Sequence, residues 1–424
     1  MNRRRRRPNY FGWVIFVLVV LFGYYFNRVY LPATPLLAGA TATPTRSFES
    51  YATEGEELFE GGKLTQAIDA YKSAIHASPQ DPTLYVALAR VQVWAGKYAE
   101  AQSNAENALL LDNNNALAHA VRAWALDFQE GKNGEALESI AEALKLEDRN
   151  ALIQSYYVEI LVDSGFDNIA RASEQSKIAL ALDNTIVETH RARGYLLANT
   201  ASTETVNYEE SIREYEEAIK INPNLAVLYI EQGLNYRFLS AKENAIESFS
   251  KAITLNPSDP KPYFYISRTY ATFGDYSKAL QYAESAVQNN PADASMRGNL
   301  GVMYYRNFDW ANAVNELGLA IFGGTTKEGV KITGISLIND TRISEFYFTF
   351  GLALARTNQC GEALQIVQEL QSKVPSDEIA MDAANKTIEI CQENLNNPAV
   401  DTPTSSPVEE PTVSSETETP VPAP

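Results

Sequence analysis

At 424 residues with 45% hydrophobic and 21% charged content, the chain is too long for one compact core and normal for a folded protein, so several domains or a repeat array is expected. The formal net charge is −18, and −18 less the six arginines ahead of residue 32 leaves −24, a balance that repels phosphate backbones and excludes nucleic acid as an expected partner. Two cysteines and three histidines are too few for a metal-rich or disulfide-dense scaffold, and no metal site or cofactor is expected.

The chain opens "MNRRRRRPNYFGWVIFVLVVLFGYYFNRVYLP". Residues 1–9 form an Arg-rich segment and 10–31 a predicted transmembrane helix. From Tyr10 to Tyr30 the only clearly polar residues are Asn27 and Arg28. At about 1.5 Å per residue the run spans about 31 Å, close to the hydrocarbon thickness of a bilayer. Tyr10 and Trp13 at one end and Tyr24, Tyr25 and Tyr30 at the other suit an aromatic belt. Five arginines precede the run, which places the N-terminus in the cytoplasm and the rest across a cell membrane as a single-pass protein. A cleaved signal peptide ending at "AGA" (38–40) is the alternative. The length of the apolar run, and the distance of Ala40 beyond it, favour the uncleaved anchor. Residues 32–47 are rich in Pro, Thr and Ala and read as a spacer.

From residue 48 the sequence repeats. "AIDAYKSAIHASPQDP" (67–82) returns as "AIESFSKAITLNPSDP" (245–260). Blocks start at 48, 82, 116, 151, 187, 226, 260 and 294, a period near 34 that indicates a two-helix unit. In the block at 226, Gly233, Tyr236, Ala245, Phe249, Ala252 and Pro257 hold fixed places. The block at 48 matches with Gly55, Leu58, Ala67, Tyr71, Ala74 and Pro79. Small residues at places 8 and 20 let two helices approach, and apolar residues at 11 and 24 fill the seam between them. Proline at 32 stops the second helix, because it lacks the N–H and clashes with the preceding turn.

These residues over 48–377 resemble the tetratricopeptide repeat (TPR) family. The resemblance implies an all-α, right-handed superhelical solenoid of about nine helix-turn-helix repeats, preceded by the one transmembrane helix. "TASTETVN" (200–207) lengthens one turn. The register fails after "AIFGG", and residues 325–343 form an insertion before a ninth unit at Ser344, with Gly351, Ala363 and Pro375 in place. Its middle, "VKITGISLI", suits a short extended segment, read either as an exposed loop or as a binding element. Residues 378–395 have the spacing of a C-terminal capping helix, and 396–424 form an acidic, Pro/Thr/Ser-rich tail expected to be disordered.

Catalytic chemistry finds no pattern, and no enzyme is expected. His76, His119 and His190 lie in different repeats, "GGTTKEG" (323–329) lacks P-loop order, and Cys360 has no neighbouring His. Glu209, Glu210, Glu216 and Glu217 recur at helical spacing, as a solvated face does. Binding is the better class. The resemblance implies a concave groove lined by the first helix of each repeat at places 2, 5, 9, 12 and 13. Carried onto this chain, that face takes in Arg90 and Trp94, Trp124 and Phe128, Arg191 and Tyr195, and Arg237 and Phe238. Phe264 and Arg268, Tyr305 and Arg306, and Phe348 and Arg356 complete it. Arg beside aromatics suits acidic protein or peptide partners. The other reading makes these arginines counter-ions of neighbouring acids and the aromatics part of the core. The carboxylate-clamp pattern of the chaperone-binding branch is missing, since Ala52 and Glu56 stand where it has Lys and Asn.

Two functions follow. The first is a membrane-anchored scaffold of the bacterial cell envelope that docks protein segments in the groove. The second is an accessory subunit of a surface-polysaccharide synthesis or export machinery; a sugar-facing groove would instead pair aromatic platforms with Asp or Asn. No small-molecule substrate is evident. In the family's stacking, the start of the second helix of repeat nine lies beside the end of the following helix, so the resemblance implies that Cys360 and Cys391 come within reach of a disulfide; two buried thiols are the alternative reading.

Overall fold

The structure is a computed structural model that describes residues 10–30, 46–200, 205–338 and 340–396. The arginine run 1–9, spacer residues 31–45 with the "AGA" site, residues 201–204 of the lengthened turn, and the acidic tail from 397 lie outside the described residues.

Helix α1 (Tyr10–Tyr25) runs on into a single π turn, Phe26–Tyr30. Over Tyr10–Arg28 its mean hydropathy is 1.7 and none of it is buried. By length and composition it is the one helix among the described residues able to cross a membrane.

The rest is a stack of helical hairpins. They are α2 (Phe48–Glu60) with α3 (Leu64–Ala77), α4 (Pro82–Trp94) with α5 (Tyr98–Leu111), and α6 (Ala116–Asp127) with α7 (Asn133–Leu146). Next come α8 (Ala151–Asp163) with α9 (Ile169–Leu182), α10 (Val187–Thr200) with α11 (Thr205–Ile221), and α12 (Ala226–Phe238) with α13 (Lys242–Leu255). The last three are α14 (Pro260–Thr272) with α15 (Tyr276–Asn289), α16 (Ala294–Arg306) with α17 (Trp310–Phe322), and α18 (Thr341–Arg356) with α19 (Cys360–Lys373); α20 (Glu378–Asn396) closes the stack. The first helix of each of the first eight hairpins begins where the sequence period starts.

Local chemistry sets these boundaries. Asp81, Asn115, Asn150, Asp259 and Asp293 cap first helices by accepting backbone N–H bonds, and Pro82 and Pro260 occupy first positions, where a missing N–H leaves no bond unmade. Within each hairpin the small residue at place 8 is a matter of contact. A Cβ on Gly55 would lie 2.8 Å from the Tyr71 ring, and one on Gly233 would lie 2.6 Å from Phe249. No hairpin buries its apolar face alone, so neighbours stack and one core runs from Phe59 to Leu228.

Place 15, between the two helices, adopts a left-handed conformation in most repeats. Glycine supplies it at Gly62, but Ser240, Phe308 and Asn358 hold it with φ of 58°, 66° and 62°. The cost is on the order of 1–2 kcal/mol for a bulky side chain such as Phe308.

The insertion is integrated into the stack. Gly324–Thr325 pairs antiparallel with Lys331–Ile332, and Ile332 and Leu337 are buried. Ile335 N–H donates to Ala320 O at 2.9 Å, and the Tyr347 hydroxyl donates to Ile335 O at 2.9 Å. Helix α18 begins at Thr341, ahead of Ser344, because Asp340 caps it by accepting from the N–H groups of Arg342 and Ile343. At the far end, Cys360 and Cys391 are disulfide-bonded with Cα atoms 5.5 Å apart.

Candidate functional site

The first helices of the hairpins line the inside of the solenoid, and the residues expected there divide into two sets. Toward the amino end they are joined to one another. Arg90 on α4 donates through Nε and Nη2 to Glu188 Oε1 on α10, at 3.0 and 2.7 Å, and Trp94 Nε1 reaches the same oxygen at 3.4 Å. Trp124 Nε1 on α6 donates to Glu159 Oε2 on α8 at 2.7 Å. Arg191 on α10 donates to both Glu159 oxygens at 2.6 Å and, through Nη2, to Glu231 Oε1 on α12 at 2.8 Å. Its guanidinium also lies 5.3 Å from the Trp94 ring and 5.7 Å from that of Trp124. Trp124 stacks on Tyr156 with centroids 4.3 Å apart.

Trp124 and Arg191 are 1% and 5% exposed, so they brace the wall. Burial pushes the Glu159 carboxyl up to about 7 against the downward pull of Arg191, whose Nη1 meets both carboxylate oxygens. Nearby, the Tyr195 hydroxyl donates to Asp163 Oδ1 at 2.5 Å. Burial followed by the Asp163 charge pushes Asp127 up to about 8, and burial also raises Asp163. Phe128 stacks on Tyr98 at 4.6 Å.

Toward the carboxyl end the arginines are freer. Arg268 on α14 donates to Glu345 Oε2 on α18 at 2.7 Å. Arg237 on α12 has a buried Nε with no hydrogen-bond partner. Burial and then the neighbouring Arg268 hold its guanidinium below its ordinary value. Phe238 is exposed and stacks on Tyr208 at 5.1 Å. Arg306 and Arg356 are exposed over the rings of Tyr276 and Trp310, at 5.6 and 5.8 Å. Tyr305 and Phe348 are partly buried against the core of the last repeats, and Phe264 is buried with Ala286 and Met296.

A cavity of about 1390 Å³ runs through the amino-terminal part, with Trp94, Tyr195, Tyr215, Glu231, Phe238 and Tyr265 in its wall. Its rim closes where Gly62, in the first turn, meets Asn224 ahead of α12. Among the described residues no three His, Cys, Asp or Glu side chains converge to hold a metal ion.

The sequence reading passed over Glu159, Glu188 and Glu231, which pair with the arginines. Glu159 and Glu188 stand at places 9 and 2 of their repeats, so the positional rule that picked out the arginines would have found both.

Tetratricopeptide repeat profiles match residues 58–125, 195–225, 226–259 and 266–323. No curated protein sequence matches the chain. Among solved structures, the chain is similar to one in the crystal structure of the APC/C hetero-tetramer Cut9–Hcn1, with a TM-score of 0.59 at 14% identity. That match covers 80% of this chain and 64% of the other, so this chain spans less than two thirds of that protein's length. A tetratricopeptide repeat protein from Parabacteroides merdae ATCC 43184 matches at 18% identity with a TM-score of 0.40, covering 60% of this chain and 98% of that one. Repeat profiles over four stretches of the stack and hairpins in register with a period near 34 agree: the chain belongs to the tetratricopeptide repeat family.

Proposed function

We propose that this chain is a non-enzymatic, membrane-anchored scaffold that binds protein or peptide segments along the concave face of its solenoid. The observation that carries the reading is the division of that face. Toward the amino end, carboxylates answer the arginines across the groove, as Glu188 does Arg90 and Glu159 does Arg191. Toward the carboxyl end, Arg237, Arg306 and Arg356 have no carboxylate at ion-pair distance among the described residues. In a chain of net charge −18, unanswered arginines beside aromatics are a surface for acidic partners. Protein interaction is also what the repeat family does in general.

The anchor rests on α1, which is apolar on every side and unburied, and on the five arginines ahead of it. Those arginines orient the N-terminus to the cytoplasm and the solenoid to the far side, in a bacterial-type envelope. Crosslinking with mass spectrometry on native membranes tests both parts. The expected result is a partner protein crosslinked to residues of α12–α18, from a chain that needs detergent for extraction. A chain recovered in the soluble fraction with its N-terminus near Thr41 overturns the anchor. Crosslinks confined to the convex face overturn the groove.

A further inference from the structure

We propose that the cavity in the amino-terminal part of the solenoid binds an uncharged oligosaccharide, between two stacked aromatic pairs and a set of asparagines. This goes beyond the docking of protein segments and uses a different part of the molecule. Tyr98 on α5 stacks on Phe128, just after α6, with centroids 4.6 Å apart and planes 13° from parallel. Tyr208 on α11 stacks on Phe238, at the end of α12, at 5.1 Å and 11°. All four rings line the cavity. Phe238 is 65% exposed, so its ring stays open beyond the face that Tyr208 covers. Parallel pairs in a wall present flat faces that are electron-rich at the centre. The C–H face of a pyranose is flat and weakly positive, so it packs on such a platform while its hydroxyls point to the sides.

The polar groups of the wall suit those hydroxyls. Asn199, Asn224, Asn256 and Asn290 line it, and none of them is buried. Asn199 and Asn224 donate to the carbonyls of Tyr195 and Glu60, which leaves both amide oxygens as acceptors. Asn256 accepts from Ser258 and keeps its N–H groups, and the Asn290 amide has no hydrogen-bond partner among the described residues. An amide offers donor and acceptor together, as a hydroxyl requires. Charge points the same way. The wall holds Lys63, Arg191 and Lys261 against Glu231 and Asp259, and Arg191 is already shared by Glu159 and Glu231. In a chain of net charge −18 this is a nearly neutral surface, with little to hold a charged segment. Size agrees, because 1390 Å³ exceeds the about 300–1,000 Å³ of small-molecule sites and leaves room for several sugar units. Three of the asparagines stand outside the first helices: Asn224 precedes α12, and Asn256 and Asn290 follow α13 and α15. Groove positions read from the first helices alone therefore show arginine beside aromatics and miss this pairing.

The test is calorimetric titration of the full chain, in a zwitterionic detergent without sugar head groups, using maltohexaose, cellohexaose and chitohexaose as probes. The expected result is saturable binding of at least one of them with a Kd of about 1 mM or tighter. Phe238→Ala should weaken it at least fivefold, and Phe238→Tyr should hold it within twofold of the parent. Asn199→Ala should weaken it at least threefold. Phe308→Ala, at an exposed ring outside the cavity, should change it less than twofold. No saturable binding of any of the three probes overturns the proposal, as does equal weakening by Phe308→Ala. Weakening confined to variants whose melting temperature falls also overturns it, since Phe238 and Asn199 are exposed and their loss should leave the fold intact. Tighter binding of the uncharged peptide (Ser-Gly)4 than of any hexasaccharide would make the cavity a polypeptide channel and overturns it as well. None of these outcomes touches the scaffold reading, whose partner is read by crosslinking.

Discussion

The side-chain amide of Asn224 donates to the backbone carbonyl of Glu60 at 2.9 Å, across 164 residues of sequence. Two residues on, a Cβ placed on Gly62 would lie 2.1 Å from Asn224 O, at a φ of +70° that already disfavours side chains. These contacts join the first repeat to the loop ahead of the sixth, beside the cavity. The seam is thin. One exposed hydrogen bond of this kind contributes about 0.5–1.5 kcal/mol net. Gly62→Ala is therefore expected to part the seam, with a stability loss on the order of 1–2 kcal/mol that comes mostly from holding an alanine at a left-handed φ. Spin labels on Lys63→Cys and Lys261→Cys, both beside the cavity, should report a longer and broader distance distribution by double electron–electron resonance. An unchanged distribution would mean that stacking alone holds the two repeats together.

The Asp127–Asp163 pair makes stability depend on pH. Burial and the neighbouring charge raise Asp127 from 3.8 to about 8 in the folded chain. A raised pKa means the folded state holds the proton more tightly than the unfolded one. Its contribution is full below about pH 4 and is lost as pH rises through about 8. The denaturation midpoint should fall between pH 5 and 8.5, and Asp127→Asn should flatten that fall. The amide keeps a donor for Asp163 without the charge. At pH 8.5 the variant should be the more stable form by on the order of 1–2 kcal/mol, a figure well under the full shift because the pair is partly solvated. Parallel curves for the two proteins would show that another group controls the slope.

How much of this was legible in the sequence follows from the range of the forces involved. Helix starts were legible because they are local: a cap such as Asp81, a proline at the first position, and the close fit of Gly233 on Phe249 recur within one 34-residue window. The two sides of the groove were not. Arg90 and Glu188 lie 98 residues apart and meet only because of the superhelical pitch, which sums small rotations that no single repeat encodes. Place 15 was missed for another reason. Its signal is glycine in four repeats, at Gly62, Gly96, Gly165 and Gly274, but Ser240, Phe308 and Asn358 hold the same left-handed turn without it. The insertion sits between: its β-branched run suggested extended chain, while its burial at Ile332 and Leu337 depended on the neighbours it meets.

Arg191 tests which half of the groove is structural. Its guanidinium is shared by Glu159 and Glu231 and packed beside Trp94 and Trp124. Arg191→Leu would strand two carboxylates in the wall, and removing one partner of a buried ion pair costs about 3–5 kcal/mol. Arg306→Leu, at an exposed arginine over Tyr276, should stay within about 0.5 kcal/mol of the parent. Chemical denaturation followed by helix signal separates the two. Similar midpoints for both variants would mean that water reaches the Glu159 site.

The disulfide should act locally. Cys360 opens α19 and Cys391 lies near the end of α20, so the bond pins the last helix to the hairpin before it. Around it, Asn394 donates to Ala355 O at 2.8 Å, and Ala380, Ala384, Thr387 and Ile390 are buried. Closing a loop across 31 residues stabilises by about 3–4 kcal/mol on the chain-entropy account. In a solenoid each repeat contacts mainly its neighbours, so that stabilisation does not spread along the stack. Replacing both cysteines with serine is expected to raise amide exchange across α20 by at least tenfold and modestly in α18 and α19. Exchange in α4–α10 should not move. Hydrogen-exchange mass spectrometry on the parent and the double variant reads all of these segments at once. Loss of protection in α4–α10 would show that the stack unfolds as one cooperative unit, whereas unchanged exchange in α20 would show that its buried face alone holds the cap.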